Sequence, residues 1–597
     1  MAGPMRGSRG EAEKSKDFGK AIKRLIKELK PFRVGIIVSV FFAIAGSVIA
    51  IVVPNQLSDI TDEISKGIFS ELNLGAIWGI AFVIIALEVS SLIAGLIENF
   101  TMTKVSNNFS RLLRNRISAK INRLPLRFFD KNRTGDTLSR VTNDVDLIAQ
   151  TLNQSLSTLV AAIFLFFGVI IMMFITNALM AITAVVSGLL GFTFMAIVLR
   201  KSQRYFTARQ KQLGKLNAHI EEIYSGLNVV RTYNGAGEAN KKFDTLNHKV
   251  YEANRKSQFL SGLMHPMMGF IGNLGYVAVC VVGAILVAND VITFGSIVAF
   301  IVYVRMFTSP LTQIAQSLTS LQSSAAASER VFEFLDEPEM SDEKNLTTYL
   351  DKDKVKGKIE FSHVQFGYDA GKTIIKDFSA TAQPGQKIAI VGPTGAGKTT
   401  MVNLLMKFYE INSGSILIDG VPISDLTREN VHELFTMILQ DTWLFSGTIK
   451  ENIVFNREHI SDAKIRDVCD KVGLTHFIKT LPKGFDSEIT ENESMSSGQK
   501  QLLTIARGMI EDTPFLILDE ATSNVDTRTE ELVQKAMDKL AKGRTSFIIA
   551  HRLSTIKNAD LILVMKNGNI VETGKHDELI KKDGFYAELY NSQFQLT

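Results

Sequence analysis

Residues 384–399, PGQKIAIVGPTGAGKT, decide how the rest of the chain is read. A turn at Pro384-Gly385-Gln386 leads into the mostly β-branched run Ile388-Ala389-Ile390-Val391, which reads as a buried strand. From Thr399 onward the chain reads as a helix. Between them, Gly392-Pro393-Thr394-Gly395-Ala396-Gly397-Lys398-Thr399 fits the G-x-x-x-x-G-K-[ST] phosphate loop. Glycines there let backbone N–H groups close around phosphates at the positive end of the helix. In that reading Lys398 reaches the terminal phosphates, the Thr399 hydroxyl sits on Mg²⁺, and Thr400 adds to the nucleotide contacts.

The chain has 597 residues, too many for one core. Charge is nearly balanced, 66 basic against 61 acidic residues, so the net +5 gives no reason to expect a nucleic-acid partner. Mean hydropathy is positive because apolar residues are concentrated in the first half. Cys280 and Cys469 are the only cysteines, which excludes a disulfide framework and a cysteine metal site.

Outward from the loop, the first half has a membrane pattern. Residues 1–15 read as a disordered tail without a signal peptide. Phe18, Ile22, Leu25, Ile26 and Leu29 then recur at helical spacing, with Lys20, Lys23, Arg24 and Lys27 on the other faces. That is a basic amphipathic helix suited to an anionic membrane surface, or else to packing against protein. Six apolar stretches follow, 34–56, 75–98, 155–176, 179–200, 264–287 and 295–318. Each is long enough for a hydrocarbon core of about 30 Å. The short connections 57–74 and 288–294 contrast with the basic intervals 103–154 and 201–258. The excess of Lys and Arg puts the long intervals, the N-terminus and the phosphate loop in the cytoplasm of a multi-pass cell-membrane protein. Those intervals read as spans continuing as long helices, with turns near 129–135 and 225–227. Pro54, Pro266 and Pro310 mark expected kinks. Glu88 and Arg305 lie within apolar runs and are candidates either for a substrate path or for an interhelical ion pair.

Residues 336–356 read as a charged linker, and from residue 357 the pattern is α/β. Strands are expected at 358–361, 364–366, 415–418, 515–518, 546–549 and 562–565, in a largely parallel sheet. The run Phe515-Leu516-Ile517-Leu518 ends in Asp519-Glu520. Asp519 at a strand's carboxyl end is placed to hold the Mg²⁺ shell, and Glu520 to polarise an attacking water.

With these residues in place, the chain from 17 to 597 resembles half of an ATP-binding cassette (ABC) exporter. The resemblance implies a polytopic α-helical membrane domain (16–335) with six transmembrane helices, the linker, and an α/β phosphate-loop nucleotide-binding domain (357–597). It implies that Tyr368, in Val364-Gln365-Phe366-Gly367-Tyr368, stacks on adenine, and that Gln440 contacts Mg²⁺ and relays the nucleotide state. It also implies that Met495-Ser496-Ser497-Gly498-Gln499 is the signature, that Asp526 follows the catalytic glutamate Glu520, and that His551 is the switch histidine. Two such chains close head to tail, each ATP lying between one phosphate loop and the opposite signature. Family coupling segments map to about 129–135 and 223–230.

The signature reads MSSGQ where the family has LSGGQ, so Ser497 replaces a glycine where backbone approaches phosphate. Residues 490–494 also lack the family's preceding glycines. With Lys398, Asp519, Glu520 and His551 intact, this resembles the catalytic-glutamate-bearing half of bacterial heterodimeric multidrug exporters. The expectation is export of amphiphilic compounds by a heterodimer with one degenerate site, the partner supplying an LSGGQ signature. The alternatives are a lipid or lipopeptide flippase working as a homodimer and, below it, an ATP-binding membrane regulator. Amphiphilic small molecules or lipids, membrane lipids and a second half-transporter are the expected partners.

Overall fold

The computed structural model describes residues 17–67, 71–132, 134–369, 371–439, 442–489, 495–519, 527–549 and 556–594. The chain divides into two compact units: Met1–Arg123 with Asn132–Pro338, and Leu124–Lys131 with Glu339–Thr597.

The first unit is helical. It contains α1 (Phe18–Glu28), α2 (Arg33–Gly67) and α3 (Leu74–Ile121), whereas the short α4 (Leu126–Lys131) groups with the second unit. The chain returns through α5 (Thr134–Ser139), α6 (Val145–Thr151) and α7 (Ser157–Thr176), joined by π-helical turns at Arg140–Asp144 and Leu152–Leu156. Then come α8 (Ala178–Ser225), α9 (Leu227–Thr232), α10 (Ala236–Ala288) and α11 (Phe294–Asp336). Among the described residues, six helical stretches are long and apolar enough to cross a membrane: Lys30–Gly67, Leu74–Ile121, Thr134–Thr176, Ala178–Ser225, Gly269–Ala288 and Phe294–Asp336. Hydrocarbon offers no water to a peptide group, so each span must satisfy its backbone internally. Polar residues close the ends: Asn73 accepts from Ala76 N, Asn177 from Leu179 N and Met180 N, and Thr293 from Ser296 N. Extended backbone at Asn177 breaks the helix and makes the tiny turn between α7 and α8.

Helices α8 and α10 have 48 and 53 residues. At about 1.5 Å per residue they are on the order of 70–80 Å long, far more than a hydrocarbon core needs. Gly226 and the Asn234-Gly235 pair mark the breaks around α9. Pro54, Pro266 and Pro310 lie inside helices that continue through them, so the expected kinks do not interrupt the elements. Near Pro54 a neighbour supports the weakened turn: the Tyr303 hydroxyl is 2.9 Å from Asn55 Oδ1 and donates to Ile51 O at 3.2 Å. On α3, Trp78, Phe82, Ile85, Val89, Leu92 and Leu96 are all exposed at helical spacing, an apolar stripe suited to lipid or a partner. Glu88 and Arg305 are also exposed on this chain.

Ion pairs and caps tie the helix ends. Arg24 of α1 forms a two-pronged pair with Asp336, Nη2 lying 2.8 Å from Oδ1, and its guanidinium stands 4.6 Å over the Phe332 ring. Arg116 of α3 reaches Glu28 at 2.7 Å. With Ala21 and Leu25 buried, α1 therefore packs on its own unit through Arg24, leaving Lys20, Lys23 and Lys27 exposed. At the other end of α11, Gly295 N donates to Asp62 of α2 at 2.7 Å. Arg330 grips the buried Asp144 with Nε at 2.9 Å and Nη2 at 2.6 Å.

In the second unit, one ten-stranded sheet has the order β5-β4-β1-β2-β12-β11-β3-β10-β9-β6. Its strands are β1 (Ile359–Phe366), β2 (Ile375–Ala382), β3 (Lys387–Val391), β4 (Ser413–Ile418), β5 (Val421–Pro422), β6 (Phe435–Ile438), then, after the separate two-stranded pair β7 (Gly447–Thr448) and β8 (Glu488–Ile489), β9 (Phe515–Asp519), β10 (Thr545–Ile549), β11 (Leu561–Lys566) and β12 (Asn569–Gly574). Helices that matter for the site are α12 (Lys398–Leu405), α13 (Arg428–Leu434), α14 (Ile449–Val454), α15 (Asp462–Val472), α16 (Thr475–Thr480), α17 (Ser497–Ile510) and α18 (Thr527–Ala541). Strands β11, β3, β10, β9 and β6 run parallel, whereas β5, β4, β1 and β2 form an antiparallel arm. The sheet is therefore mixed rather than largely parallel. The parallel strands are buried on both faces: Ile388 and Ile390 face one apolar cluster, Ala389 and Val391 the other. The arm alternates buried with exposed, as a one-sided antiparallel sheet does. The two strands expected at 358–361 and 364–366 are one strand, β1, interrupted by a bulge at His363, which has φ 48°. The segment after Glu339 is fastened to this unit, with Glu343 against Lys407 at 3.1 Å and Arg428 at 2.6 Å.

The Asp144–Arg330 pair supplies a test of what holds the first unit. Replacing Asp144 by Ala removes a two-pronged, part-buried charge-assisted pair and should cost about 2 kcal/mol. Removing the exposed Asp146, paired with Arg114, should cost little. Thermal unfolding in lipid nanodiscs should show a clear fall in midpoint for Asp144→Ala and almost none for Asp146→Ala.

Candidate nucleotide site

Strand β3 delivers the phosphate loop to the carboxyl edge of the parallel block. Its neighbours are in register: Ile390 pairs with Ile549 of β10, and Ile549 pairs with Asp519 of β9. Asp519 therefore leaves the sheet on the edge where Val391 gives way to the loop, the edge at which open α/β sheets bind ligands. Two glycines in the loop are dictated by geometry. A Cβ at Gly392 would strike the Met565 carbonyl oxygen of the adjacent β11. Gly397 caps α12 with φ 104°, a left-handed conformation that costs a side-chain-bearing residue, and a Cβ there would lie 2.6 Å from Ile375 Cδ1.

Within this frame Lys398, the first residue of α12, is buried and its ammonium folds back onto Gly392 O at 2.7 Å and Pro393 O at 3.1 Å. Burial pushes its pKa below the ordinary lysine value, opposed by the nearby Asp519 carboxylate. A desolvated cation held against two neutral carbonyls fits an incoming polyanion such as a triphosphate. Thr394 and Gly395 are exposed at the loop's crest, and Ala396 is buried beneath it. Thr399 is exposed in the first turn of α12, whereas Thr400 is buried and takes part in a 3.3 Å contact with the Tyr368 hydroxyl. Asn403, one turn on, donates to the same hydroxyl at 3.4 Å. The expected base-stacking Tyr368 is thus fastened to the helix that the phosphate loop opens.

Mg²⁺ keeps much of its shell as water and phosphate oxygens. Thr399 and Asp519 suit that role, and among the described residues no three His, Cys, Asp or Glu side chains gather as a metal cage. The ion would supply charge to the phosphates, and Lys398 a second positive charge beside them. Gln440, Glu520, Asp526 and His551 lie outside the described residues, as do Thr490–Ser494.

The signature opens α17. Ser496 is its N-cap in a reciprocal capping box: Gln499 N donates to Ser496 Oγ at 3.2 Å, and Ser496 N to Gln499 Oε1 at 2.9 Å. Ser497 is exposed at the first helical position and Gly498 is buried at the second. The spacing S-x-x-Q carries this box in the sequence. Farther along α17, Arg507 donates through Nε to Asn452 O at 2.8 Å and stands 5.1 Å from the Phe455 ring, itself stacked on Phe445 at 4.9 Å. Burial lowers the Arg507 pKa, with Glu511 opposing it. This clasp ties the signature helix to the segment following Gln440, a contact that no local pattern announces.

Comparison with known proteins agrees with this arrangement. Residues 36–311 match the family described as the ABC transporter transmembrane region, and residues 375–523 match the one described as ABC transporter. A fatty acid ABC transporter ATP-binding/permease protein of Mycobacterium tuberculosis is 42% identical over 619 aligned positions, covering 96% of this chain and 97% of the relative. An uncharacterized ABC transporter ATP-binding protein of Bacillus subtilis, YfiC, is 41% identical over 83% of this chain and 82% of its own length. A probable multidrug resistance ABC transporter ATP-binding/permease protein of the same organism, YheH, is 33% identical over 83% of this chain and 74% of its own.

The depressed pKa of Lys398 has a pH consequence. A phosphate binds the protonated form, so affinity for nucleotide is full below the pKa of the free site and falls as pH rises through it. Because burial lowers that pKa, the fall should begin below the range of an ordinary lysine, near about 10.4. Titration with a fluorescent ATP analogue from neutral to alkaline pH should show it, and Lys398→Arg should bind weakly but without that alkaline loss.

Proposed function

Because this chain belongs to the ABC transporter family, as a half-transporter that fuses a six-span membrane domain to a nucleotide-binding domain, we propose that it carries lipid- or fatty-acid-like amphiphiles across the cell membrane. It is a multi-pass membrane ATPase with a cytoplasmic nucleotide-binding domain, it uses ATP and Mg²⁺, and it pairs with another ABC half-transporter. The substrate reading rests on the near full-length similarity to a protein named for fatty acid transport. That similarity is greater in identity and in coverage than the similarity to the protein named for multidrug resistance. It supports the lipid alternative over the broader multidrug expectation.

For the chemistry, the proposed assignment is Lys398 and Mg²⁺ for phosphate charge, Thr399, Gln440 and Asp519 for the metal shell, Glu520 for the attacking water and His551 for the transferring phosphoryl group. Tyr368 takes the base. Gly392, Pro393, Thr394, Gly395, Ala396, Gly397 and Thr400 complete this chain's half of the site. Ser496, Ser497, Gly498 and Gln499 serve the ATP held by the partner, with Asp526 in the loop after Glu520. For the partner, the MSSGQ signature supports a different chain carrying LSGGQ. Ser497 adds a hydroxymethyl group at the exposed start of α17, where an opposing γ-phosphate would have to approach the helix backbone.

Reconstitution tests both parts. In proteoliposomes containing the transporter with an LSGGQ-bearing partner, a fluorescent fatty acid should move between leaflets in an ATP-dependent manner. Lys398→Ala should abolish that movement, lowering turnover by about a hundredfold or more. Movement of a cationic drug but not of the acyl probe would return the reading to multidrug export. The chain alone should hydrolyse ATP slowly, and Ser497→Gly should raise its rate. Full hydrolysis by the unmodified chain alone, lost in Glu520→Gln, would establish a homodimer.

A further inference from the structure

The segment that follows α12 carries a contact that the phosphate chemistry does not use. Tyr409 lies just beyond the helix opened by the phosphate loop, and its hydroxyl donates to the carboxylate of Asp130 on α4. The same ring stands edge-on to Tyr368, with centroids 4.9 Å apart at 82°, and against Phe366 at 5.6 Å and 63°. Phe366 and Tyr368 are themselves edge to face at 5.0 Å. Next to Tyr368, Asp369 accepts from Lys131 at 2.7 Å and from Arg127 at 3.1 Å, both on α4. Two adjacent residues of the expected base pocket therefore lead to the same short helix, one through an aromatic ring and one through charge.

The two routes differ in strength. Arg127, Lys131 and Asp369 are each about half exposed, so those pairs are screened and weak. The Asp130 carboxylate is exposed as well, but its bond from Tyr409 is charge-assisted and has a packed aromatic trio behind the donor. Burial raises the Tyr409 pKa well above the usual phenol range, and Asp130 adds to the rise, so the hydroxyl remains a donor throughout the physiological range. Leu124, two residues before α4, and Phe128 within it are buried, which fixes the helix that receives the bond. Residues 122–125 connect α4 in the chain to α3, a helix long and apolar enough to cross a membrane.

We propose that Tyr409 is a positioning residue that reports the base held at Tyr368 to α4, by a route distinct from the phosphate-reading one expected at Gln440. This rests on the reading of Tyr368 as the base-stacking residue. A base stacked on Tyr368 restrains that ring, the edge-to-face contact passes the restraint to Tyr409, and the hydroxyl passes it to Asp130. A purine covers the ring more fully than a pyrimidine does. The nucleotide base thereby decides how firmly α4 is held, independently of whether the phosphates are cleaved.

The test uses the full transporter in nanodiscs with an environment-sensitive fluorophore on Asn122→Cys, an exposed position between α3 and α4. The readout needs no transported substrate. Saturating ATP should change the fluorescence, and saturating CTP should change it roughly fivefold less. Tyr409→Phe keeps the ring and loses the hydroxyl. It should reduce the ATP response to the CTP level while leaving the KM for ATP hydrolysis within about twofold. Asp130→Ala should do the same, and the double variant should be no worse than either alone. Equal ATP responses in the unmodified protein and Tyr409→Phe, or additive effects of the two substitutions, would overturn the proposal. Tyr368→Ala separates the premise: it should raise the KM for ATP. If it does not, the base-stacking reading fails and the relay with it. If it does while Tyr409→Phe responds normally, the relay alone fails.

Discussion

Strand β3 is held between β10 and β11 with all three parallel, and this placement determines where the nucleotide chemistry can be. Parallel strands end on a common edge, so the loop after Val391 and the carboxylate of Asp519 emerge side by side although 128 positions separate them. The same strands are apolar on both faces, which obliges helices to cover both and leaves that edge as the open place. Even the glycine at 392 follows from the crowding of β11 against the start of the loop. The catalytic geometry is in this sense a by-product of how a doubly covered sheet must be packed.

The membrane half answers to a different constraint. Without water, the backbone can only be helical, and side chains are left to decide which helix ends stay together. They do so with few contacts: Arg24 with Asp336, Arg330 with Asp144, Asp62 with the start of α11. Between these points α2, α7, α8, α10 and α11 share an apolar core that includes Val169, Met173, Phe300 and Tyr303, whereas long stretches of α3 present apolar residues outward. The nucleotide-binding unit in turn takes in two pieces of neighbouring sequence, α4 through Asp130 and the segment after Glu339 through Glu343. Both are met by the stretch directly after α12, where Lys407 and Tyr409 lie two positions apart.

What could be read from the sequence was what is local. The phosphate loop, the strand ending in Asp519 and six apolar runs of spanning length are patterns within a few residues or one periodicity. The strand β2, IKDFSATA, was not legible, because half of it faces water and its polar residues imitate a loop. Its antiparallel pairing with β1, and that of β1 with β4, made the sheet mixed where the buried strands alone suggested a parallel one. Near Pro54 the supporting contact, the Tyr303 hydroxyl on Ile51 O, comes from a distant part of the chain and could not be read locally. Pairings such as Tyr409 with Asp130, or Arg330 with Asp144, join residues 279 and 186 positions apart and leave no trace in either local window. The capping box at Ser496 and Gln499 was available as a spacing and carries the same information as the fold.

The bond from Gly295 to Asp62 joins α11 to α2 at the end of α11 opposite Asp336. Each such bond is a pivot, and α11 has a second set at its other end, the Arg24–Asp336 and Arg330–Asp144 pairs. A rotation of a few degrees about the first pivot is small beside it and grows in proportion to distance along the helix. Helix α11 has 43 residues, on the order of 65 Å, so a rotation at Gly295 reaches the pairs at its other end as a larger displacement than a shorter span would give. The length of this helix, well beyond what a bilayer demands, sets the mechanical gain between the Asp62 joint and the ion pairs at its far end.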